Sequence, residues 1–595
     1  MPCTVLVAAR AGPRPPLISH SFDTSGGVDF RLVRVPPDAN PPAPRPIHSW
    51  DERAVPRFFG VGRGSIPAYA TWDDGYPAKT PEIIGTIPQV DQTFGYWEAA
   101  SGIANDCGVM IAESTCSAVF GAKLRGEAGG QALLSYQELT RIALERCSGA
   151  KEAVELMGSL AVEHGFAGNT DELGGAAESL SVVDGEEAWV FHVMPDDTGA
   201  SAIWAAQRVA DGHAAVVPNI FVIRTIDGDS GDFLVSETAR TVAERCGLWR
   251  PGTPFDFAAI FSANEARPFY CGRRQWRALS LLAPSLDLNP EYSDLLNDTP
   301  YPFSVAPDAP LTAATFCTIM RDTYAGTPFD MARNPASGPF GTTDWFDSGL
   351  PNVIADDEDA APASPEAAVK RDLIAAAKEA EAATCDPANP TKPSSRRGTI
   401  EFDERPIGVF RMAYSYVGEA SPSVRGGGGV RPAVLHWAPH ASTTAVYFPV
   451  PVAMRDCPPP LAAGSVRAID RTSAFWAFRI TKQTARGLPW AACLEKIAAR
   501  QAAWEGRAEA MIEALRTWDE AAVPRFFDTS EVAIHELARS VVDDWSALLD
   551  ELLLRYGDGW DHEWGEDGER KCKAVEYPSE WLARRGFDVP GEKMD

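Results

Sequence analysis

The sequence MPCTVLVAAR occupies residues 1–10 of a 595-residue chain, and the first strand is predicted within it. A cysteine followed directly by a β-branched, apolar run is typical of a nucleophile on the first residue of a strand. If Met1 and Pro2 are removed, Cys3 carries both a thiol and a free α-amine. An α-amine titrates near about pH 8, so it can accept the thiol proton near neutrality. Cys3 would then be nucleophile and general base together. The alternative is an ordinary buried core cysteine.

Composition and charge limit the class of protein. A content of 45% hydrophobic and 10% aromatic residues can bury a large core, so the chain is not disordered. The net charge of -28 argues against nucleic-acid partners and against binding to anionic membranes. Eleven cysteines without a Cys-x-x-Cys pair favour reduced thiols, so we expect a cytoplasmic protein. No apolar run approaches the roughly 18 residues of a membrane helix. Residues 1–2 carry no basic-plus-apolar signal pattern, so any leader would lie outside this sequence.

The first two predicted strands form a hairpin. Residues 3–9 and residues 17–23 have strand patterns, and the glycine- and proline-rich residues 12–16 between them predict a turn. The hairpin brings Asp23 back beside Cys3, where its carboxylate would hold and orient the ammonium form of the α-amine. The alternative is that Asp23 is only a turn residue after the second strand.

Further along, loops, helices and strands follow one another. Residues 36–95, rich in proline, glycine and aromatic residues, are predicted to be long covering loops. Residues 135–165 carry the apolar spacing of a helix. Later strand patterns lie at residues 179–183, 187–193, 202–206, 214–223, 407–417, 434–437 and 445–450. The chain is therefore predicted to mix strands and helices.

Nine short motifs occur in a fixed order between residues 3 and 440. They are CT (3–4), HSFD (20–23), NDCGVMIAESTCS (105–117), EAWVF (187–191), VVPN (216–219), MRDTYAGTPFD (320–330), GPFG (338–341), YSYV (414–417) and WAPH (437–440). With them the chain resembles the dipeptidase A and secernin family, cysteine peptidase family C69, within the N-terminal nucleophile hydrolase superfamily. The resemblance implies an α+β fold, a four-layer αββα sandwich with the nucleophile at the tip of a central strand.

The resemblance also implies roles for single residues. Cys3 matches the processed nucleophile, and Asp23 matches the carboxylate that orients its amine. By more distant similarity to penicillin V acylases and bile salt hydrolases, Asn219 falls where an oxyanion-hole asparagine is expected, and Asn105 falls near the second oxyanion position. A side-chain amide aimed at the oxyanion lowers the barrier by about 3–4 kcal/mol. The alternatives are a turn residue for Asn105 and a strand-end cap for Asn219.

Two further residues are candidates for substrate binding. Within YCGRRQWR, residues 270–277, Arg273 is predicted to match the active-site arginine of the acylases. A solvated basic stretch is the alternative. His20 stands where the acylases carry an arginine, three residues before the aspartate. No cofactor and no metal are expected. His436 and His440 have the i, i+4 spacing of a zinc helix, but Pro439 lies between them and the glutamate is missing, which argues against a metal site there.

The chain is predicted to divide into an interrupted core and an extension. Residues 3–352 and 400–483 form the two parts of the N-terminal nucleophile hydrolase core. Residues 353–399 are an acidic and alanine-rich solvated insertion. Residues 484–595 form a helical C-terminal extension.

The expected function is hydrolysis of dipeptides through Cys3 and an acyl-enzyme. We expect a dipeptide substrate, no nucleic-acid or membrane partner, and we leave room for a homo-oligomer. Two alternatives stay open. One is a secernin-like regulatory or binding protein without turnover, which a retained Pro2 would favour. The other is an acylase that acts on a non-peptide amide.

Overall fold

The computed structural model describes most of the chain, and its strands and helices are numbered in chain order. The described residues are 3–23, 30–49, 82–168, 177–228, 230–263, 271–290, 300–333, 337–343, 405–421, 433–464, 466, 468–516, 523–565 and 567–584. The predicted insertion at residues 353–399 and the processing site at Met1 and Pro2 lie outside them.

The described strands form two large sheets and two separate two-stranded sheets. They are β1 (Cys3–Ala8), β2 (Leu17–Asp23), β3 (Val33–Val35), β4 (Arg45–His48), β5 (Ile83–Ile87), β6 (Tyr96–Glu98), β7 (Gly102–Asn105), β8 (Met110–Cys116), β9 (Ala177–Val183), β10 (Ala188–Pro195), β11 (Ala202–Arg208), β12 (Ala214–Val217), β13 (Phe233–Val235), β14 (Ser304–Val305), β15 (Met412–Glu419), β16 (Val434–Pro439), β17 (Phe448–Pro451), β18 (Trp560–Trp564) and β19 (Arg570–Ala574).

The α-helices lie mainly outside the sheets. They are α1 (Tyr136–Arg146), α2 (Ala150–His164), α3 (Thr238–Arg245), α4 (Phe257–Phe261), α5 (Arg273–Leu282), α6 (Ala313–Ile319), α7 (Pro459–Ala462), α8 (Ala474–Ala485), α9 (Trp490–Arg516), α10 (Val523–Tyr556) and α11 (Ser579–Arg584). Of the helices in the described ranges, none has the length and apolar character needed to cross a membrane.

Sheet 1 has the order β14-β12-β1-β2-β15-β16-β17 and sheet 2 the order β13-β11-β10-β9-β8-β7-β6-β3. Neighbouring strands in both sheets are antiparallel. In sheet 1, β1 is central, and Val5 pairs with Val217 on one side and with His20 on the other. Every residue of β1 and β2 is buried, as expected of strands covered on both faces.

The two sheets pack face to face, with helices outside each of them. Strands β1 and β2 contact β8 and β9 across one apolar core. Helices α1 and α2 cover the outer face of sheet 2. Helices α5, α6, α8, α9 and α10 contact strands of sheet 1. This arrangement is four layers, α-β-β-α, and it confirms the predicted fold.

Local signals explain where some elements begin and end. The helical spacing over residues 135–165 is divided between α1 and α2, because the chain leaves the helical conformation at Cys147 and restarts after Gly149. The side chain of Ser135 accepts a hydrogen bond from the Glu138 backbone N–H and so caps α1.

Two parts of the chain differ from the sequence prediction. The region predicted as covering loops, residues 36–95, contains the antiparallel pair β4–β5, while residues 50–81 lie outside the described part. The predicted C-terminal extension is helical over α9 and α10, but the antiparallel pair β18–β19 follows them. These strands are largely exposed and have no buried face, so they lack the apolar alternation that identifies a strand in a sequence.

Candidate active site

Cys3 lies at the tip of β1, where sheet 1 faces β8 of sheet 2. Its thiol donates a hydrogen bond to Glu113 Oε1 at 2.9 Å. The same carboxylate oxygen lies 3.2 Å from His20 Nε2. All three residues are at most 1% exposed. The thiol, imidazole and carboxylate therefore form one buried, hydrogen-bonded cluster, which we call the thiol cluster.

The strand register explains why His20 reaches the thiol cluster. Cys3 pairs with Phe22, and Val5 pairs with His20, in the antiparallel β1–β2 hairpin. Directly opposed residues and residues two apart lie on one face of a sheet. Cys3 and His20 thus share a face of sheet 1.

Asn219 holds the backbone nitrogen of Cys3. This asparagine follows Pro218 directly after β12 and has a left-handed backbone with φ of 67°, a conformation that asparagine adopts more readily than most residues. Its Oδ1 accepts hydrogen bonds from the Cys3 N–H at 3.0 Å and from Arg274 at 2.8 Å. Its Nδ2 donates to the Thr115 carbonyl at 2.8 Å. The structure therefore brings Asn219 to Cys3 across 216 residues of sequence.

Arg274, rather than the predicted Arg273, contacts the nucleophile strand. Arg274 donates to the Cys3 carbonyl at 2.7 Å, to Thr4 Oγ1 at 2.8 Å and to the Pro218 carbonyl at 3.1 Å. Arg273 lies over the ring of Phe329 at 3.6 Å, and its Nη1 donates to the Pro290 carbonyl at 3.2 Å. Adjacent helix residues differ by about 100° in direction, so Arg273 and Arg274 face different surroundings.

Asp23 lies beyond Phe22 at the same end of the β1–β2 hairpin. Its carboxylate forms an ion pair with Arg405, and its Oδ2 accepts a hydrogen bond from Ser21 Oγ at 3.3 Å. Its Oδ1 is buried and has no hydrogen-bond partner within the described ranges. Asp23 is therefore anchored through one oxygen, while the other oxygen is left for another group.

Asn105 is not brought to the thiol cluster. Its Nδ2 donates to the carbonyls of Leu144 and Cys147 at the end of α1, at 2.9 and 2.8 Å. Its Oδ1 accepts from the backbone N–H groups of Cys107 and Val109, both at 3.0 Å. This side-chain amide joins a tight turn to a helix end, so an oxyanion role would require breaking one of these bonds. We leave Asn105 out of the candidate site.

Burial and charge determine which protonation states the cluster favours. Burial raises the pKa of the Cys3 thiol well above its ordinary value, and the negative charge of Glu113 raises it further. Burial alone would raise the pKa of Glu113, but the hydrogen bond and charge of His20, together with the Cys3 hydrogen bond, lower it. The resting cluster is therefore a neutral thiol that donates to a carboxylate anion. The thiol needs a base before it can attack a carbonyl.

Sequence reasoning missed three contact residues. Glu113 lies inside a quoted motif, residues 105–117, but its role depends on a contact with a residue 110 positions away. Arg274 is the neighbour of a predicted residue. Arg405 follows the undescribed residues 344–404, and no local pattern distinguishes it from other arginines.

A buried cysteine at the tip of a central strand, in an αββα sandwich, is the arrangement of the N-terminal nucleophile class of hydrolases. The family model "Peptidase family C69" matches residues 69–342. This match places that segment in peptidase family C69 and confirms the resemblance. Glu113, Asn219 and Arg274 lie inside the matched segment, whereas Cys3 and Asp23 precede it.

A comparison with solved structures finds penicillin V acylase from Agrobacterium tumefaciens. The two chains are 13% identical, with a TM-score of 0.19. The match covers 34% of this chain and 49% of the acylase, so it spans about half the length of that relative.

Proposed function

We propose that this protein hydrolyses the peptide bond of dipeptides through the Cys3 thiolate and an acyl-enzyme. The observation that carries the proposal is the position of Cys3. Its thiol is held by Glu113 and its backbone nitrogen by Asn219, on the first residue of a central strand. The match to peptidase family C69 supports the reaction class.

The proposed base is the α-amine that Cys3 gains when residues 1–2 are removed. In the structure the Cys3 nitrogen already donates to Asn219 Oδ1 at 3.0 Å, and this contact would fix the amine. The buried Oδ1 of Asp23 has no partner in the described part of the chain and is suited to accept from an ammonium group. An amine with a pKa of about 8 is a better proton acceptor at neutral pH than the Glu113 carboxylate, whose pKa is lowered.

The chemical steps balance without a cofactor. The thiol proton passes to the α-amine, and the sulfur forms a bond with the substrate carbonyl carbon. When the C–N bond breaks, the leaving amine takes that proton. Water then attacks the thioester with the same amine as base, which releases the acid and restores the thiol.

Asn219 is the proposed oxyanion donor. One hydrogen of its Nδ2 is used by the Thr115 carbonyl, so the other hydrogen of that nitrogen would have to face the substrate carbonyl. Arg274 fixes the Oδ1 end of the same amide, which sets the direction of the nitrogen. A donor held in place before the reaction is worth more than one that must reorient.

The test is a dipeptide panel assayed with wild-type protein, Cys3→Ala and Cys457→Ala. Cys457 is a buried cysteine that is not part of the thiol cluster, so it is a matched control for the loss of a thiol. We expect Cys3→Ala to lose all turnover and Cys457→Ala to keep it. Intact-mass measurement of the active wild-type protein should give a chain that begins at Cys3. Turnover by Cys3→Ala, or full activity with Pro2 retained, would contradict the proposal.

A further inference from the structure

We propose that Cys3, His20 and Glu113 form a binding site for one Zn²⁺ ion, and that the bound ion blocks the thiol. A sulfur, an imidazole nitrogen and a carboxylate oxygen of these residues all lie within 4.8 Å of one another. These three atom types are the ones that Zn²⁺ prefers in proteins. The residues come from two strands of sheet 1 and one strand of sheet 2, so the ion would be held between the two sheets.

The distances within the thiol cluster are close to those of a tetrahedral site. With Zn–S of about 2.3 Å and Zn–N and Zn–O of about 2.1 Å, tetrahedral angles place the nitrogen and oxygen about 3.4 Å apart and the sulfur and oxygen about 3.6 Å apart. The corresponding separations are 3.2 Å for His20 Nε2 to Glu113 Oε1 and 2.9 Å for Cys3 Sγ to the same oxygen. Shifts of less than about 1 Å would therefore convert the hydrogen-bonded cluster into three ligands.

An independent observation points to a cation at this place. Glu113 Oε2 and His20 Nδ1 are buried, and neither has a hydrogen-bond partner within the described residues. A buried carboxylate anion is costly when its charge is not compensated, and a cation bound at Oε1 would neutralise that charge. Asp23, a buried carboxylate at the end of β2, has Arg405 as its counter-ion, whereas Glu113 is hydrogen-bonded to a thiol and an imidazole.

Charge and protons balance when the ion binds. The thiol releases one proton to solvent and becomes a thiolate. His20 gives up the proton on Nε2, either to solvent or to its own Nδ1, and binds through Nε2 as a neutral ring with its proton on Nδ1. Thiolate and carboxylate together carry two negative charges, which Zn²⁺ neutralises. Three protein ligands leave a fourth position for water. The sulfur lone pair that would attack a carbonyl is then engaged by the metal.

The experiment uses the full chain and Co²⁺ as a spectroscopic substitute for Zn²⁺. We expect one Co²⁺ per chain, with the near-ultraviolet charge-transfer absorption of a cobalt–thiolate bond, and we expect Zn²⁺ to displace it. Cys3→Ser should abolish the band. His20→Ala and Glu113→Gln should weaken binding by at least about 100-fold, because losing even an outer partner of a ligand costs about 10–100-fold. Cys572→Ser, which removes an exposed thiol, should change nothing.

Several results would overturn the metal site. These are the absence of a thiolate band, a band that persists in Cys3→Ser, or unchanged affinity in both His20→Ala and Glu113→Gln. If His20→Ala does not fold, as judged by circular dichroism, His20→Gln takes its place and should weaken binding in the same way. Binding does not depend on the proposed reaction. If the wild-type protein hydrolyses dipeptides, Zn²⁺ should inhibit this hydrolysis, and removal of the ion with EDTA should restore it. If the protein binds cobalt but hydrolyses no dipeptide after EDTA has removed the metal, this result would contradict only the proposed function.

Discussion

His192 gives a quantitative prediction about stability at acid pH. It lies in β10 and is fully buried, and its Nε2 accepts hydrogen bonds from the backbone N–H groups of Val222 and Ile223 at 2.9 and 3.3 Å. Burial lowers the pKa of His192 to about 3. Val222 and Ile223 follow Asn219 by three and four positions, so this imidazole anchors the segment that carries a candidate site residue.

The sign of the pH effect follows from the lowered pKa. Between about pH 6.5 and pH 3 an unfolded chain binds a proton on this histidine, whereas the folded chain does not. Stability therefore falls as the pH falls through this window. When the pH dependence of the free energy of unfolding is integrated from neutral pH to pH 4.5, His192 alone lowers that free energy by about 2.5 kcal/mol.

The test compares wild-type protein with His192→Gln, whose side-chain carbonyl can accept the same hydrogen bonds but does not titrate. Urea unfolding, followed by tryptophan fluorescence, is measured at pH 7.5 and at pH 4.5. Between pH 7.5 and pH 4.5, the free energy of unfolding of the wild-type protein should fall by about 2.5 kcal/mol more than that of the variant. Burial also lowers the pKa of His440, but this group is present in both proteins and its effect cancels. An equal loss in both proteins would refute the neutral, buried state of His192.

Two other predictions concern the candidate site and the packing of helices. Asn219→Ala and Asn219→Gly should each lower kcat by about 10²–10³ with little change in KM, because the amide acts on charge that develops in the transition state. Glycine adopts the left-handed backbone freely, so a loss seen only with alanine would show that backbone strain is the cause. Gly158→Ala should destabilise the fold by about 1–3 kcal/mol, because a Cβ at Gly158 would overlap the Trp204 indole. Gly506→Ala lies on α9, where a Cβ meets open space, so it should instead stabilise the chain by about 0.5–1 kcal/mol. Thermal unfolding of both variants checks this. Equal effects of Gly158→Ala and Gly506→Ala would show that the Trp204 overlap is not the cause.

Local sequence patterns were enough to predict the centre of the fold. The apolar run after Cys3 and the run at residues 17–23 predict two strands, and the turn between them predicts their antiparallel pairing. The structure has the second strand at Leu17–Asp23, and the first ends at Ala8, one residue before the predicted end. The two runs are close in sequence and are separated by a glycine- and proline-rich turn, so the local pattern is enough to predict a hairpin.

Contacts between distant parts of the chain were not predictable in the same way. Glu113 meets the Cys3 thiol only because sheet 2 packs on sheet 1, and no periodicity within β8 indicates which residue reaches across. Arg405 meets Asp23 across more than 380 residues. The family resemblance indicated Asn219, but it could not separate Arg273 from Arg274, because that choice depends on the rotation of α5 about its own axis.

The contacts of Arg274 have a consequence for the motion of the nucleophile. One guanidinium group donates to the carbonyl of Cys3 and to the side chain of Asn219. Both residues are thus tied to the same side chain of α5, so we expect their displacements to be correlated. The separation between the sulfur and the amide nitrogen should fluctuate less than the position of either atom. The reactive geometry is then preserved by correlated displacement, without requiring α5 itself to be rigid.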